Sequence, residues 1–138
     1  MLSKKTKYGL KALSYLSKQP QNQPVLISDI SAAENISKKY LESILLTLKK
    51  NGILSSKKGK GGGYYLLKEP NEIKISAVIR VLEGPIAMLP CVSLNYYEQC
   101  DDCINEELCS LNILMAEVRD STLKILENKT LANFHCGT

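Results

Sequence analysis

The segment "ISKKYLESILLTLKKNGILSSKKGKGGGYYLLKEP" (36–70) changes its hydrophobic period halfway along, and this limits the fold more than any other feature of the 138-residue chain. Before Gly52, the residues Leu41, Ile44, Leu45 and Leu48 recur at helical spacing. Ser37 stands where an N-cap is wanted, and Gly52 falls where a left-handed residue ends a helix. Beyond Gly52 the period becomes that of strands. Ile53–Ser56 and Tyr64–Leu67 are β-like runs around a tip of lysine and glycine, and Pro70 stops the second run. The pattern predicts a helix followed at once by a hairpin.

Upstream, Tyr8, Leu10, Ala12, Leu13, Tyr15 and Leu16 predict a first helix over residues 4–17, and "QPQNQP" (19–24) reads as a loop. Ser28 is the expected cap of a short helix "DISAAEN", with Asp29 in its first turn and a turn at Asn35-Ile36. Two helices joined by a tight turn, with polar residues opening the second, form a helix-turn-helix pattern; a hairpin directly after it is a wing. Lys38, Lys39, Glu42 and Ser43 fall off the apolar stripe and are free to face a groove. The wing tip offers Lys57, Lys58 and Lys60 among Gly59, Gly61, Gly62 and Gly63. Glycines let backbone approach phosphates, and lysines add salt-dependent attraction to a duplex. A nucleotide-phosphate loop fits less well, because the run lacks a GKS/T ending and is followed by a β-like run instead of a helix.

Charge supports a polyanion partner for this half alone. Residues 1–70 hold 13 Lys and Arg against 4 acids, a balance of +9, whereas residues 71–138 hold 5 against 10, a balance of −5. The expected partner is double-stranded DNA. No apolar run reaches the roughly 18–20 residues of a membrane span. The interleaved polar and apolar residues of "MLSKKTKYGLKALSYL" are unlike a signal peptide, so a cytoplasmic protein is expected.

In the second half, "ISAVIRVLEGP" (75–85) reads as a short amphipathic helix and residues 86–104 as a loop. From about Asn105 a long helix is expected, with Leu108, Leu111, Met115, Val118, Leu123, Ile125 and Leu126 as its apolar positions. That is more apolar surface than a small winged domain covers, which points to a homodimer. "TLANF" (130–134) is expected to form a final short turn. The fold class is therefore mainly α with a small β-hairpin: a winged helix-turn-helix plus a long C-terminal dimerisation helix. The division is 1–85 for DNA binding, 86–104 for a cysteine-rich loop, and 105–138 for the dimerisation helix and tail.

That loop and the start of the helix hold four of the five cysteines, Cys91, Cys100, Cys103 and Cys109, separated by eight, two and five residues. In a reducing compartment such a cluster suits metal ligation or redox chemistry better than structural disulfides, and the odd total adds to this. Cys136 and the lone His135 are read as incidental. A hydrolase or transferase is not expected, since one terminal histidine leaves no Ser/His/Asp arrangement. A small iron–sulfur electron carrier is the competing class, but such a carrier has no use for a recognition helix and a lysine-glycine wing.

The run "ISKKYLESILLTLKKNGILSSKKGKGGGYYL", followed by "EGPI" and a cysteine loop before a long helix, resembles the Rrf2 family of bacterial transcription regulators over nearly the whole chain. That family includes iron–sulfur regulators of cluster assembly, nitric-oxide sensors and cluster-free regulators of cysteine metabolism. The resemblance implies that Glu42, in the "YLE" of the recognition helix, reads a base edge, as a carboxylate can from cytosine N4–H. It implies phosphate contacts from Ser37, Lys38, Lys39 and Tyr40, and places Lys58 where the cluster-assembly regulators carry a wing arginine. Cys103-x5-Cys109 keeps the family's cysteine spacing, whereas the gap from Cys91 is longer and brings in Cys100. Asn112 stands where some relatives have a ligand histidine, and the N-terminal "KKTKYG" offers no carboxylate. Four thiolates are the usual complement of a 2Fe–2S or 4Fe–4S cluster. They would equally satisfy structural zinc, and a metal-free thiol sensor is the third reading.

Overall fold

The computed structural model describes residues 2–134, so the expectations for His135 and Cys136 lie outside the described residues. Helix α1 (Lys4–Ser17) begins at Ser3, whose hydroxyl accepts the Thr6 amide. It buries Leu10, Ala12, Leu13 and Leu16 against α2 (Ile27–Glu34) and α3 (Lys38–Lys50). Ser28 is not the cap of α2. The helix starts at Ile27, Leu26 precedes it, and no side chain caps it. Backbone pairing sets this entry instead: the amide and carbonyl of Val25 each bond Tyr64 at 2.8 Å, adding a third extended segment beside the hairpin.

Asn35, left-handed at φ 54°, ends α2, and the Ile36 amide returns to the Ser31 carbonyl, making the tight turn into α3. Ser37 does cap α3, accepting the Tyr40 amide at 3.3 Å. Leu41, Ile44, Leu45 and Leu48 are fully buried. At the other end Gly52 has φ 78°, its amide bonds Lys49 and that of Ile53 bonds Leu48. This paired closure wants glycine at its left-handed position and turns the chain straight into the hairpin.

Strands β1 (Leu54–Lys57) and β2 (Gly63–Leu66) pair antiparallel, Leu54 opposite Leu66 and Lys57 opposite Gly63. Helix α4 (Ile75–Leu82) follows and crosses α1 at Gly9, where a Cβ would meet Leu82 Cδ1 at 2.2 Å. A glycine inside a helix costs stability unless backbone must come this close.

The long helix starts later than Asn105. Residues Glu106–Leu108 form a separate short turn whose first amides Asn105 caps, and α5 runs Ser110–Glu127 with Cys109 as its N-cap. The far end of α5 is tied to the winged half. The Ile75 amide bonds Lys129, the Leu131 amide bonds Ile73, and Leu131 is fully buried in the main core. Of the apolar positions on α5, Leu123 is buried, while Leu111, Ile113, Leu114 and Ile125 are each more than half exposed. Among the described residues no helix is long and apolar enough to cross a membrane.

Candidate nucleic-acid interface and cysteine cleft

The residues expected to meet DNA stand on two adjoining elements. Ser37, Lys38, Lys39, Tyr40, Glu42 and Ser43 are exposed on the first turns of α3, opposite the buried stripe that fixes the helix. Tyr40 stands edge-on to Tyr8 of α1, ring centroids 5.7 Å apart, which holds its hydroxyl end outward from a packed base. Ser43 donates to the Tyr40 carbonyl at 2.9 Å and keeps its oxygen lone pairs for another donor.

Lys57, Lys58 and Lys60 are exposed at the wing tip. Gly61 is exposed at φ 75° with open space around it. Gly62 is buried instead. A Cβ there would lie 2.3 Å from the Lys57 carbonyl oxygen, so its smallness serves the closure of the tip. At Gly63, φ is 140° and a Cβ would lie 2.2 Å from the Val25 carbonyl oxygen, where the third segment crosses.

The four cysteines border one cleft of about 330 Å³, shared with Leu89, Glu106 and Asn112. Cys91 is buried in the short turn Pro90–Val92, Cys100 and Cys103 begin and end a turn closed by the Cys103 amide on the Cys100 carbonyl, and Cys109 caps α5. All four are free thiols. A hydrogen bond with Cys91, followed by the charge on Cys91, burial and Asp102, pushes the Cys100 thiol up. Burial and then Glu106 push Cys103 up. Among the described residues, no three His, Cys, Asp or Glu side chains already converge as a metal's coordination sphere. The donor chemistry nevertheless fits a thiophilic centre, with four cysteines lining one cleft and N–H donors on two of the sulfurs.

Sequence reasoning missed the groups that frame this cleft. Asn112 donates from its side chain to Cys91 Sγ at 3.3 Å and from its backbone to Cys109 Sγ at 3.4 Å. Its place three residues after a capping residue was the available signal. Arg119, halfway along α5, donates to the Val92 carbonyl at 2.8 Å and pairs with Asp120, fixing the Cys91 turn to the helix; no local pattern announces it. Tyr97 donates to Glu106 across the inserted loop, and that carboxylate pushes the phenol up to about 12.

The Rrf2 family model, described as an iron-dependent transcriptional regulator, matches residues 2–136. The rrf2-like HTH-type transcriptional regulator of Rhodobacter capsulatus is 41% identical over 134 residues, covering 95% of this chain and 89% of the relative. The structure of CymR, the global cysteine regulator of B. subtilis, superposes with a TM-score of 0.77 at 31% identity, covering 96% of this chain and 94% of that one. IscR of T. potens superposes with a TM-score of 0.75 at 30% identity, covering 96% and 84%. With the helix-turn-helix, the wing and the long helix all in place, the chain belongs to the Rrf2 family of transcriptional regulators.

Proposed function

We propose that the chain is a dimeric repressor that binds duplex DNA through α3 and the wing, and whose operator affinity depends on an iron–sulfur cluster held by Cys91, Cys100, Cys103 and Cys109. The observation that carries this reading is the gathering of four thiols around one cleft at the N-terminus of the helix whose other end is fixed in the core of the winged half. When bound, such a cluster supplies thiolate cross-links and an oxidation-sensitive charge.

The remaining work belongs to the chain. Glu42 accepts from a base edge, Ser37, Lys38, Lys39 and Tyr40 hold phosphates, and Ser43 stands beside them. Lys57, Lys58 and Lys60 with Gly61 engage backbone from the wing, and Gly62 keeps its tip closed. Residues 1–85 act as the reading head, 86–104 as the sensing loop, and the helix beyond as the dimer contact. The exposed apolar residues of α5 support that last role, because a face of this kind is covered in a stable regulator. Arg119 couples loop to helix, so ordering of the loop shifts the spacing of two recognition helices against about one DNA turn.

The test is protein purified without oxygen, with an absorption spectrum and iron, sulfide and zinc analyses, followed by titration of duplexes selected from a random pool. Brown protein containing iron and sulfide, bleached by Cys103→Ala, and binding DNA differently once stripped is expected. Zinc alone makes the loop structural, and equal DNA affinity with and without metal removes the switch.

A further inference from the structure

Among the described residues bordering the cysteine cleft, Asn112 donates hydrogen bonds to two of the sulfurs, one from its backbone and one from its side chain. It is the third residue of α5. Its amide donates to the Sγ of Cys109, which is the helix cap, so the helix terminus itself fixes that sulfur. Its carboxamide reaches across 21 residues of sequence to Cys91, in the turn that Arg119 holds against α5 from the other side. Two sulfurs far apart in the chain are thus fixed by one residue. Cys100 and Cys103 are carried on the inserted turn, where Cys100 shares a hydrogen bond with Cys91 and the Asn105 backbone bonds Cys103.

We propose that Asn112 is a positioning residue that clamps Cys91 beside Cys109, so that one edge of the thiol site is already formed before any metal arrives. This rests on the reading of the cleft as a metal site, but the clamp exists in the metal-free chain and is testable there. The carboxamide NH2 is a donor that a thiolate accepts readily. A leucine of nearly the same size has no N–H to donate and offers a cation no ligand. Asn112→Leu is a discriminating variant because leucine is a good helix former, so α5 keeps its length while the bond to Cys91 is lost.

Reduced, metal-free full-length protein is titrated with Co2+ under argon, following the thiolate-to-cobalt absorption. The wild type is expected to bind with that band. Asn112→Leu and Asn112→Ala are expected to bind about 10–100-fold more weakly, the usual loss when a group orienting a ligand is removed. Equal cobalt affinity in all three overturns the clamp while leaving the metal site intact. If the wild type shows no thiolate band, the metal reading fails and a second readout decides the clamp. Each metal-free protein is then alkylated with iodoacetamide and mapped by mass spectrometry, with Cys103 as the internal reference. A changed Cys91 to Cys103 ratio in Asn112→Ala upholds the clamp, faster where Cys91 is freed and slower where its thiolate loses a donor, and an unchanged ratio overturns it. Where the protein carries iron and sulfide, loss of the donor also lowers the reduction potential, a shift that a merely structural asparagine would not cause.

Discussion

Replacing Gly63 by alanine tests how the wing is held. Two costs can be worked from the geometry. First, φ is 140° at this position, where side chains strain the backbone by about 1–3 kcal/mol. Second, the new Cβ would lie 2.2 Å from the Val25 carbonyl oxygen and 2.9 Å from the Leu26 amide nitrogen, both backbone atoms that cannot swing aside. Relief requires the Val25 segment to lift off Tyr64, giving up two hydrogen bonds of 2.8 Å each. At about 0.5–1.5 kcal/mol net per bond, that adds about 1–3 kcal/mol. The sum is about 2–6 kcal/mol, a large part of a domain's usual 5–15. Gly61→Ala is the control: its φ of 75° is also left-handed, but nothing lies within 4 Å of the added Cβ, so strain alone of roughly 1–2 kcal/mol is expected. Thermal unfolding by circular dichroism should place Gly63→Ala roughly 10–20 °C below the wild type and Gly61→Ala between them. DNA affinity should fall further in Gly63→Ala than its unfolded fraction accounts for, because the wing is displaced in the folded molecules. A Gly63→Ala protein as stable as Gly61→Ala would refute the argument that the Val25 crossing holds the hairpin.

Glu42→Ala should relax base preference at one operator position, worth about 1–3 kcal/mol of discrimination, whereas Lys58→Ala should weaken all duplexes alike and reduce the salt slope by about 1; binding to a panel of single-base variants at several salt concentrations separates the two. Leu131→Ala should cost about 2–5 kcal/mol in denaturant unfolding despite lying beyond α5, because its side chain is fully buried in the main core. The Tyr97 phenol, whose folded value of about 12 lies above its ordinary 10.0, should favour the native state below that ordinary value, and the contribution should fade as pH rises toward 12. Alkaline absorbance titration of Glu106→Gln, with Tyr97→Phe as reference, should show one tyrosine ionising earlier; no change would mean that Glu106 does not hold it.

The parts legible in the sequence were those whose cause is local. Leu41, Ile44, Leu45 and Leu48 mark a helix face by their spacing, Ser37 and Gly52 punctuate it, and both behave as read because caps act within four residues. Ser28 misled for the opposite reason. It has the chemistry of a cap, but Tyr64, far along the chain, pairs with Val25 and fixes where α2 begins. The start of α5 was hidden similarly: "NEEL" has good helix formers, yet Asn105 spends its side chain on a short turn and leaves Cys109 to begin the helix. In the cleft, the cysteines were visible as residue types and spacings. The groups that orient them were not, since the bonds of Asn112 and Arg119 depend on the packing of α5 beside a loop some twenty to thirty residues earlier.

Helix α5 links the cysteine cleft to the core of the helix-turn-helix half. Cys109 caps its first turn, Arg119 in its middle grips the Cys91 turn, and past its last turn Lys129 and Leu131 bond the strand-like entry of α4. Helix α4 in turn packs on both α1 and α3, with the Leu82 side chain lying against Gly9. Between Cys109 and α3 the connection therefore runs through one helix, backbone hydrogen bonds and packed helices. In the inserted loop Leu94, Tyr96, Tyr97 and Ile104 are exposed, and the Tyr97–Glu106 bond spans its two arms. On the proposed reading, an event that orders or releases this loop would reach the recognition helix through α5, α4 and the core that α4 shares with α3.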